Sequence, residues 1–167
     1  WQPQPRVTVD CITNAIRRVD QADAVLLDCT DMDLCVAVAT ACRERGIPTV
    51  LDTGSLKPGV ECVLSIADHI IVPEKFLLQR FGGTYRSDMA GMLMAFGRET
   101  SASVVAVTQG DLGGFFLTRG SASPQHYEPV IVNALDTTGA GDVFHGAYTY
   151  GVAMGWGIEK TIQFSAW

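Results

Sequence analysis

The sequence predicts a doubly wound α/β fold, in which a mostly parallel sheet carries helices on both faces and some antiparallel strands at one edge. Two patterns lead to this prediction. Short apolar segments alternate with segments of helical periodicity over residues 7–108, and the connections between them are short, as in right-handed β–α–β units. After residue 108, strand-like segments follow one another directly, which predicts hairpins.

The first half of the chain is predicted to contain three strands and their connecting helices. A helix over residues 7–19 has apolar residues at helical spacing and is expected to pack on a sheet face. Residues 22–28 have the apolar composition of a buried parallel strand. The helix over 31–45 has Asp31 as its candidate N-cap and Gly46 just after its end. Further elements are expected at residues 49–52 (strand), 60–67 (helix) and 69–72 (strand).

The second half begins with a helix that ends near residues 81–83, followed by an amphipathic helix over 89–96. A strand over 104–108 and a hairpin partner over 115–118 come next, with a turn at 119–121. An apolar segment at 130–132 then leads into a glycine-rich turn.

That turn, residues 136–142, reads Asp-Thr-Thr-Gly-Ala-Gly-Asp and precedes an apolar, aromatic run that predicts a buried helix. Such a turn binds anions because the first N–H groups of a helix lack partners and its dipole favours negative charge. Asp142 would repel a phosphate, but it is suited to take a proton from a hydroxyl that attacks one. The N–H groups of Gly139, Ala140 and Gly141 would stabilise the charge of the transferred group. A valine at Gly141 is expected to disfavour any φ > 0 and to block close approach of phosphate.

Other interpretations of the turn remain open. A dinucleotide fingerprint has a third glycine where Phe144 stands, and a Walker A loop has a Lys-Ser or Lys-Thr pair that is missing here. In another interpretation, Asp136 and Asp142 have no chemical role and cap a turn and a helix N-terminus, which is a common role of Asp. At the level of function, the alternatives to an enzyme of phosphoryl transfer are a catalytically silent nucleotide-sensing module and a nicotinamide-dependent oxidoreductase, which Phe144 disfavours.

Two segments resemble the ribokinase-like (pfkB) carbohydrate kinases. Residues 136–146, D-T-T-G-A-G-D-V-F-H-G, are similar to the C-terminal signature of that family. Residues 107–114, V-T-Q-G-D-L-G-G, are similar to the strand–turn–strand that borders its nucleotide. The resemblance implies a ribokinase-like fold and ATP-dependent phosphorylation of a hydroxyl group of a sugar or sugar-like small molecule, with Asp142 as the base.

The resemblance also implies binding residues. Thr108, Gly110 and Gly113 match positions that border the nucleotide. Asp136, together with the carbonyl group of Thr138, matches positions that hold a monovalent cation such as K⁺ in some relatives.

The resemblance also implies a magnesium site, but this sequence departs there from the family pattern. Many relatives carry an Asn one position after the Pro that ends the third strand and a Glu three positions further on, which together organise Mg²⁺ through water. Glu74 and Leu77 stand at these positions. Glu74 is therefore the expected magnesium carboxylate, whereas Leu77 has no atom that coordinates a metal.

Composition narrows the classes of function. The 167 residues are 47% hydrophobic and 18% charged, as in folded enzymes, and a net charge of −6 argues against nucleic acid or an anionic membrane as the main partner. The five cysteines lack C-x-x-C spacing and the three histidines lack metal-ligand spacing, so free thiols and structural histidines are expected. With no signal peptide or membrane-spanning run, a cytoplasmic protein is expected. Its binding partner is expected to be a small-molecule sugar substrate, and a homodimer is one assembly that the protein could form.

The ends of the sequence indicate a longer enzyme. Trp1 is not a natural start, and a helical pattern stops at Trp167 without a cap. Ribokinase-like kinases are considerably longer than this chain. Residues 1–167 are therefore expected to be the nucleotide-binding and catalytic half of a ribokinase-like domain, without its N-terminal sugar-binding and lid part and without its C-terminal end.

Overall fold

A six-stranded sheet forms the centre of the computed structural model, which describes residues 7–82 and 88–167. Its strands lie side by side in chain order: β1 Val25–Leu27, β2 Thr49–Asp52, β3 His69–Pro73, β4 Val104–Thr108, β5 Gly114–Thr118 and β6 Gln125–Tyr127. The first four strands are parallel, and β5 and β6 are antiparallel to their neighbours. The predicted mixed sheet, with antiparallel strands at one edge, is confirmed.

The helices begin and end at residues with clear local reasons. They are α1 Val9–Arg18, α2 Met32–Arg45, α3 Val60–Leu64, α4 Glu74–Phe81, α5 Met89–Glu99, α6 Ala140–Ala153 and α7 Ile158–Ser165. Asp31 caps α2 by accepting the N–H of Leu34 at 2.9 Å, and Gly46 ends it with a φ of 67°. Gly82 ends α4 with a φ of 66°, while Gly83, which the sequence also placed at this helix end, lies outside the described residues. Within the described ranges, none of these helices has both the length and the apolar character needed to cross a membrane.

Two hydrophobic cores cover the two faces of the sheet. Along β2 and β3 neighbouring side chains point to opposite faces. Leu51 and Ile70 pack on one side with residues of α2 to α5, whereas Val50 and Ile71 pack on the other side with Tyr148 of α6. The residues of α7 join the second core. Helices therefore lie on both faces, as predicted, and three of the five free cysteines are buried in the first core.

Four details differ from the sequence-based expectations, because each depends on neighbours that composition does not reveal. Strand β1 is shorter than expected and lies at the sheet edge, with Leu26 39% exposed. Helix α1 packs mainly against α2 rather than on the sheet. Helix α6 buries only one face, since Val143 is 71% exposed. Strand β6 was not predicted at all.

Candidate active site

The carboxyl ends of β1 to β4 meet at one edge of the sheet, where ligands of such sheets bind. Four polar residues stand directly at these ends: Asp28, Asp52, Glu74 and Gln109. Because β5 runs antiparallel to β4 and β6 runs parallel to β4, the start of β5 at Gly114 and the end of β6 lie at the same edge. Predicted site residues lie at or directly after the ends of these strands, so this edge of the sheet is the candidate active site.

The turn before α6 is closed by its own hydrogen bonds. The N–H of Thr138 donates to Oδ1 of Asp136 at 2.8 Å, and the N–H of Ala140 donates to the carbonyl of Thr137 at 3.1 Å. Hydrogen bonds from the backbone and side chain of Thr138 lower the pKa of Asp136. Gly139 then takes a φ of 79° as the N-cap of α6. Asp136 thus has the turn-closing role that the sequence left as an alternative.

The start of α6 presents backbone donors toward an external ligand. Among the described residues, the N–H groups of Gly139, Gly141 and Asp142 have no acceptor, since the first bond of the helix runs from Val143 to Gly139 at 2.9 Å. The N–H of Ala140, one of the predicted donors, is already engaged within the turn. The donor set is therefore Gly139, Gly141 and Asp142.

The predicted conformational reason for Gly141 is wrong. The positive φ belongs to Gly139, whereas Gly141 is the second residue of α6 and is not among the residues with positive φ. A Cβ atom added at Gly141 would have no other atom within 4 Å. The position is open and lies in the first turn of α6, so a side chain here would act by filling space beside the helix N-terminus.

Asp142 lies in the first turn of α6 and is exposed. Its carboxylate accepts no hydrogen bond from any residue that the structure describes, and no side chain caps this helix. It does not have the capping geometry that the alternative interpretation requires. An exposed carboxylate without a protein donor, next to free N–H groups, can accept a hydrogen bond from the hydroxyl group of a substrate.

A buried histidine connects α6 to the ends of β2 and β3. The side chain of His145 is 5% exposed, and its Nδ1 lies 2.7 Å from the carbonyl oxygen of Gly141 and 3.3 Å from Oδ2 of Asp52. Its Nε2 lies 3.2 Å from the carbonyl oxygen of Ile71. Burial raises the pKa of Asp52, and the negative charges of Asp142 and Asp28 add to this effect against the opposing charge of His145.

The sequence analysis had assigned His145 only a structural role. The position of His145, three residues after Asp142 on the same helix, was the signal that could have placed it near the site.

Lys57 adds a positive charge at this edge, and the sequence analysis had not singled it out. Its Nζ donates to the carbonyl of Cys29 at 3.0 Å. Asp28 is an exposed residue. Partial desolvation of its carboxyl group raises the pKa, but hydrogen bonds from the N–H and hydroxyl of Thr30 and the charge of Lys57 outweigh this effect and lower the pKa. The carboxylate of Asp28 is thus held by its own loop.

The predicted nucleotide segment forms a tight loop between β4 and β5. The N–H of Gln109 donates to the carbonyl of Gly113 at 2.8 Å, and the N–H of Gly113 donates to the carbonyl of Gly110 at 3.1 Å. Thr108 ends β4 opposite Gly114. Gly113 has φ 73° and ψ −115°, and a Cβ atom there would lie 2.1 Å from the carbonyl oxygen of Tyr127. The loop therefore requires glycine at 113.

We expect Gly113→Ala to destabilise the fold by roughly 3 kcal/mol, because it combines backbone strain with a clash against main-chain atoms. Gly110→Ala is the matched control, since Gly110 also has a positive φ, of 61°, but has open space around it. It should cost only about 1 kcal/mol. Chemical denaturation of both variants measures the difference, and equal losses would show that the clash at 113 is relieved by movement of β6.

Glu74 begins α4, and its Oε2 lies 3.5 Å from Nε2 of Gln109, so the carboxylate borders the nucleotide loop. Leu77 is fully buried in the first core and faces no ligand. In the described part of the chain, no three His, Cys, Asp or Glu residues are grouped closely enough to enclose a metal ion. One carboxylate suits Mg²⁺, which keeps several waters and binds substrate phosphates instead of a protein cage.

Comparison with known proteins identifies the family. A family model described as pfkB family carbohydrate kinase matches residues 11–167. The chain belongs to this family. The resemblance of residues 107–114 and 136–146 is thereby confirmed, and the sheet edge described above belongs to a pfkB fold.

Individual pfkB relatives are moderately similar. The ribokinase of Staphylococcus aureus (strain COL) is 30% identical over 149 residues, which cover 85% of this chain and 47% of that protein. The ribokinase of Arabidopsis thaliana is 26% identical over 133 residues, covering 78% and 35%. The chain thus spans less than half the length of these curated relatives.

A solved structure supports the fold. The structure of Arabidopsis thaliana ribokinase complexed with ribose and ATP aligns with a TM-score of 0.82 and 24% identity, covering 97% of this chain and 52% of that one. The fold is therefore ribokinase-like.

Proposed function

We propose that this chain carries the catalytic and nucleotide-binding residues of a kinase that transfers the γ-phosphoryl group of ATP to a hydroxyl group of a sugar or sugar-like molecule. The observation that carries the proposal is the start of α6, where, among the residues that the structure describes, the exposed carboxylate has no donor and the neighbouring N–H groups have no acceptor. Membership of the pfkB family supports the reaction class. The ATP and ribose bound to the Arabidopsis ribokinase support the choice of nucleotide and of a sugar acceptor.

In this mechanism the oxygen of the sugar hydroxyl group attacks the γ-phosphorus of ATP, and Asp142 accepts the proton of that hydroxyl group. A new oxygen–phosphorus bond forms, the bond to the bridging oxygen of the β-phosphate breaks, and ADP leaves with the electron pair. The N–H groups of Gly139, Gly141 and Asp142 stabilise the negative charge on the transferred group. Thr108, Gly110 and Gly113 border the nucleotide at the end of β4.

Two cations fit this arrangement. Glu74 is the residue that would hold Mg²⁺, which would supply positive charge to neutralise the phosphates of ATP. Asp136 and the carbonyl group of Thr138 are assigned to a monovalent cation such as K⁺. Both residues lie in the turn that precedes the anion site, so a cation there would stabilise the turn.

A catalytically silent nucleotide-binding module is the second candidate. It is favoured by Leu77, which is buried where many relatives carry a metal-organising acid. The pfkB assignment removes the ground for a nicotinamide-dependent oxidoreductase.

Turnover separates the two candidates. The intact enzyme containing these residues is incubated with ATP, Mg²⁺ and a panel of sugars, and sugar phosphate is detected by mass spectrometry, while calorimetry measures ATP binding. We expect binding and sugar-dependent formation of ADP. ATP binding without any sugar phosphate across the panel would support the silent module instead.

A further inference from the structure

His145 makes contacts that only its doubly protonated ring satisfies. Nδ1 faces the carbonyl oxygen of Gly141 and a carboxylate oxygen of Asp52, and Nε2 faces the carbonyl oxygen of Ile71. All three partners are acceptors, so each ring nitrogen must carry a proton to bond them. A neutral imidazole has one N–H and would leave its other nitrogen facing a carbonyl oxygen in a buried site.

A buried cation requires a counter-ion, and Asp52 supplies one. Its carboxylate is 22% exposed and lies 3.3 Å from Nδ1 of His145. The other charged groups that act on the Asp52 carboxylate are Asp142 of α6, Asp28 after β1 and Lys57 before α3. Asp52 is the carboxylate in contact with the ring, so the two residues form a charge pair between α6 and the sheet.

The hydrogen bond from His145 reaches the anion site through one peptide group. The carbonyl of Gly141 and the N–H of Asp142 belong to the same peptide plane, and that N–H is one of the donors without an acceptor. A charged donor on the carbonyl fixes the plane and polarises it, which makes the N–H a stronger donor.

We propose that Asp52 and the buried His145 form a carboxylate–imidazolium pair that orients and polarises the Gly141–Asp142 peptide group of the anion site. The proposal rests on the kinase function proposed above. His145 and Asp52 act through the peptide group and not on the substrate, so both are positioning residues. The neutral ring would lack the charged donor to the Gly141 carbonyl, so the proposal predicts a slower rate in any enzyme or condition in which the ring is neutral.

The charge state is measured first, because it does not depend on turnover. Nitrogen-15 NMR of the intact protein reports both ring nitrogens of His145, assigned by the signals that are missing from His145→Gln. We expect two protonated nitrogens at pH 7 in the wild type and a neutral ring in Asp52→Asn, which lacks the counter-ion. A neutral wild-type ring at pH 7 would overturn the inference even if the enzyme is an active sugar kinase.

The pH dependence of kcat then separates positioning from general stability. The wild type should show an alkaline limb, Asp52→Asn should show the same limb at lower pH, and His145→Gln should lack it. Above the limb, kcat of the wild type should equal that of His145→Gln. Below it the wild type should be faster by about tenfold, which is less than the 10²–10³-fold cost of removing such a donor, because the N–H of Asp142 is weakened and not removed. The acid limb, which reports the base, should remain in all three enzymes.

His69→Gln is the matched control. Its Nδ1 bonds the hydroxyl of Tyr148 at 2.9 Å at the start of β3, the opposite end of the sheet from the site. It should keep the alkaline limb. An alkaline limb that persists in His145→Gln would contradict the proposal. A protonated His145 in a protein that phosphorylates no sugar would leave the charge pair standing and overturn the kinase function instead.

Discussion

Asp142→Asn is expected to lower kcat of the intact enzyme by a factor on the order of 10²–10⁴, the usual contribution of a general base. An amide keeps the size of the side chain but cannot take the proton of the acceptor hydroxyl group. The affinity for ATP should change little, because the N–H donors of Gly139 and Gly141 are main-chain groups that the substitution leaves in place. Steady-state kinetics with the sugar found in the panel, together with calorimetric ATP binding, measure both quantities.

The control for Asp142→Asn is Glu159→Gln in the first turn of α7. Both changes remove a carboxylate that interacts favourably with a helix N-terminus, an effect of about 0.3–1 kcal/mol. Helix α6 runs from the end of β3 toward its start, as the contacts of His145 with Ile71 and of Tyr148 with His69 show. The helix that follows it therefore begins away from the site. Near wild-type kcat in Asp142→Asn would remove Asp142 from the role of base.

Gly141→Val is expected to lower kcat by a factor on the order of 10²–10³, comparable to the loss of a donor from an oxyanion hole. The backbone at Gly141 is helical and the space around it is open, so the fold accepts the side chain. The valine methyl groups would instead occupy the space through which a phosphoryl group reaches the N–H groups. Kinetics report the loss, and circular dichroism during thermal unfolding reports the fold.

Gly146→Val is the control for Gly141→Val, because it makes the same substitution at another position of the same helix. Gly146 lies in the same helix, also without a positive φ and also with no atom within 4 Å of an added Cβ. Both variants replace glycine by a residue of slightly better helix propensity, so their melting temperatures should move alike. Only the variant at 141 should lose activity. Equal activity in the two variants would show that phosphate does not approach this end of α6.

Local sequence was sufficient for most of the elements and for the turn that opens α6. Asp31 and Gly46 predicted the ends of α2 because capping depends on a few neighbouring backbone groups. The run from Asp136 to Asp142 predicted a turn opening a helix for the same reason. Alternating apolar and helical segments predicted the mostly parallel sheet.

Tertiary structure decided what depends on partners distant in the chain. It gave the positive φ to Gly139 rather than Gly141, engaged the N–H of Ala140 in the turn, and exposed one face of α6. It also brought His145 to Asp52 and Ile71, which lie far from it in sequence. Sequence determined that a carboxylate and free N–H groups stand together at a helix start, because those groups are neighbours in the chain. The burial of His145 and its hydrogen-bond partners were decided by packing, because they arise only when the helix packs against the sheet.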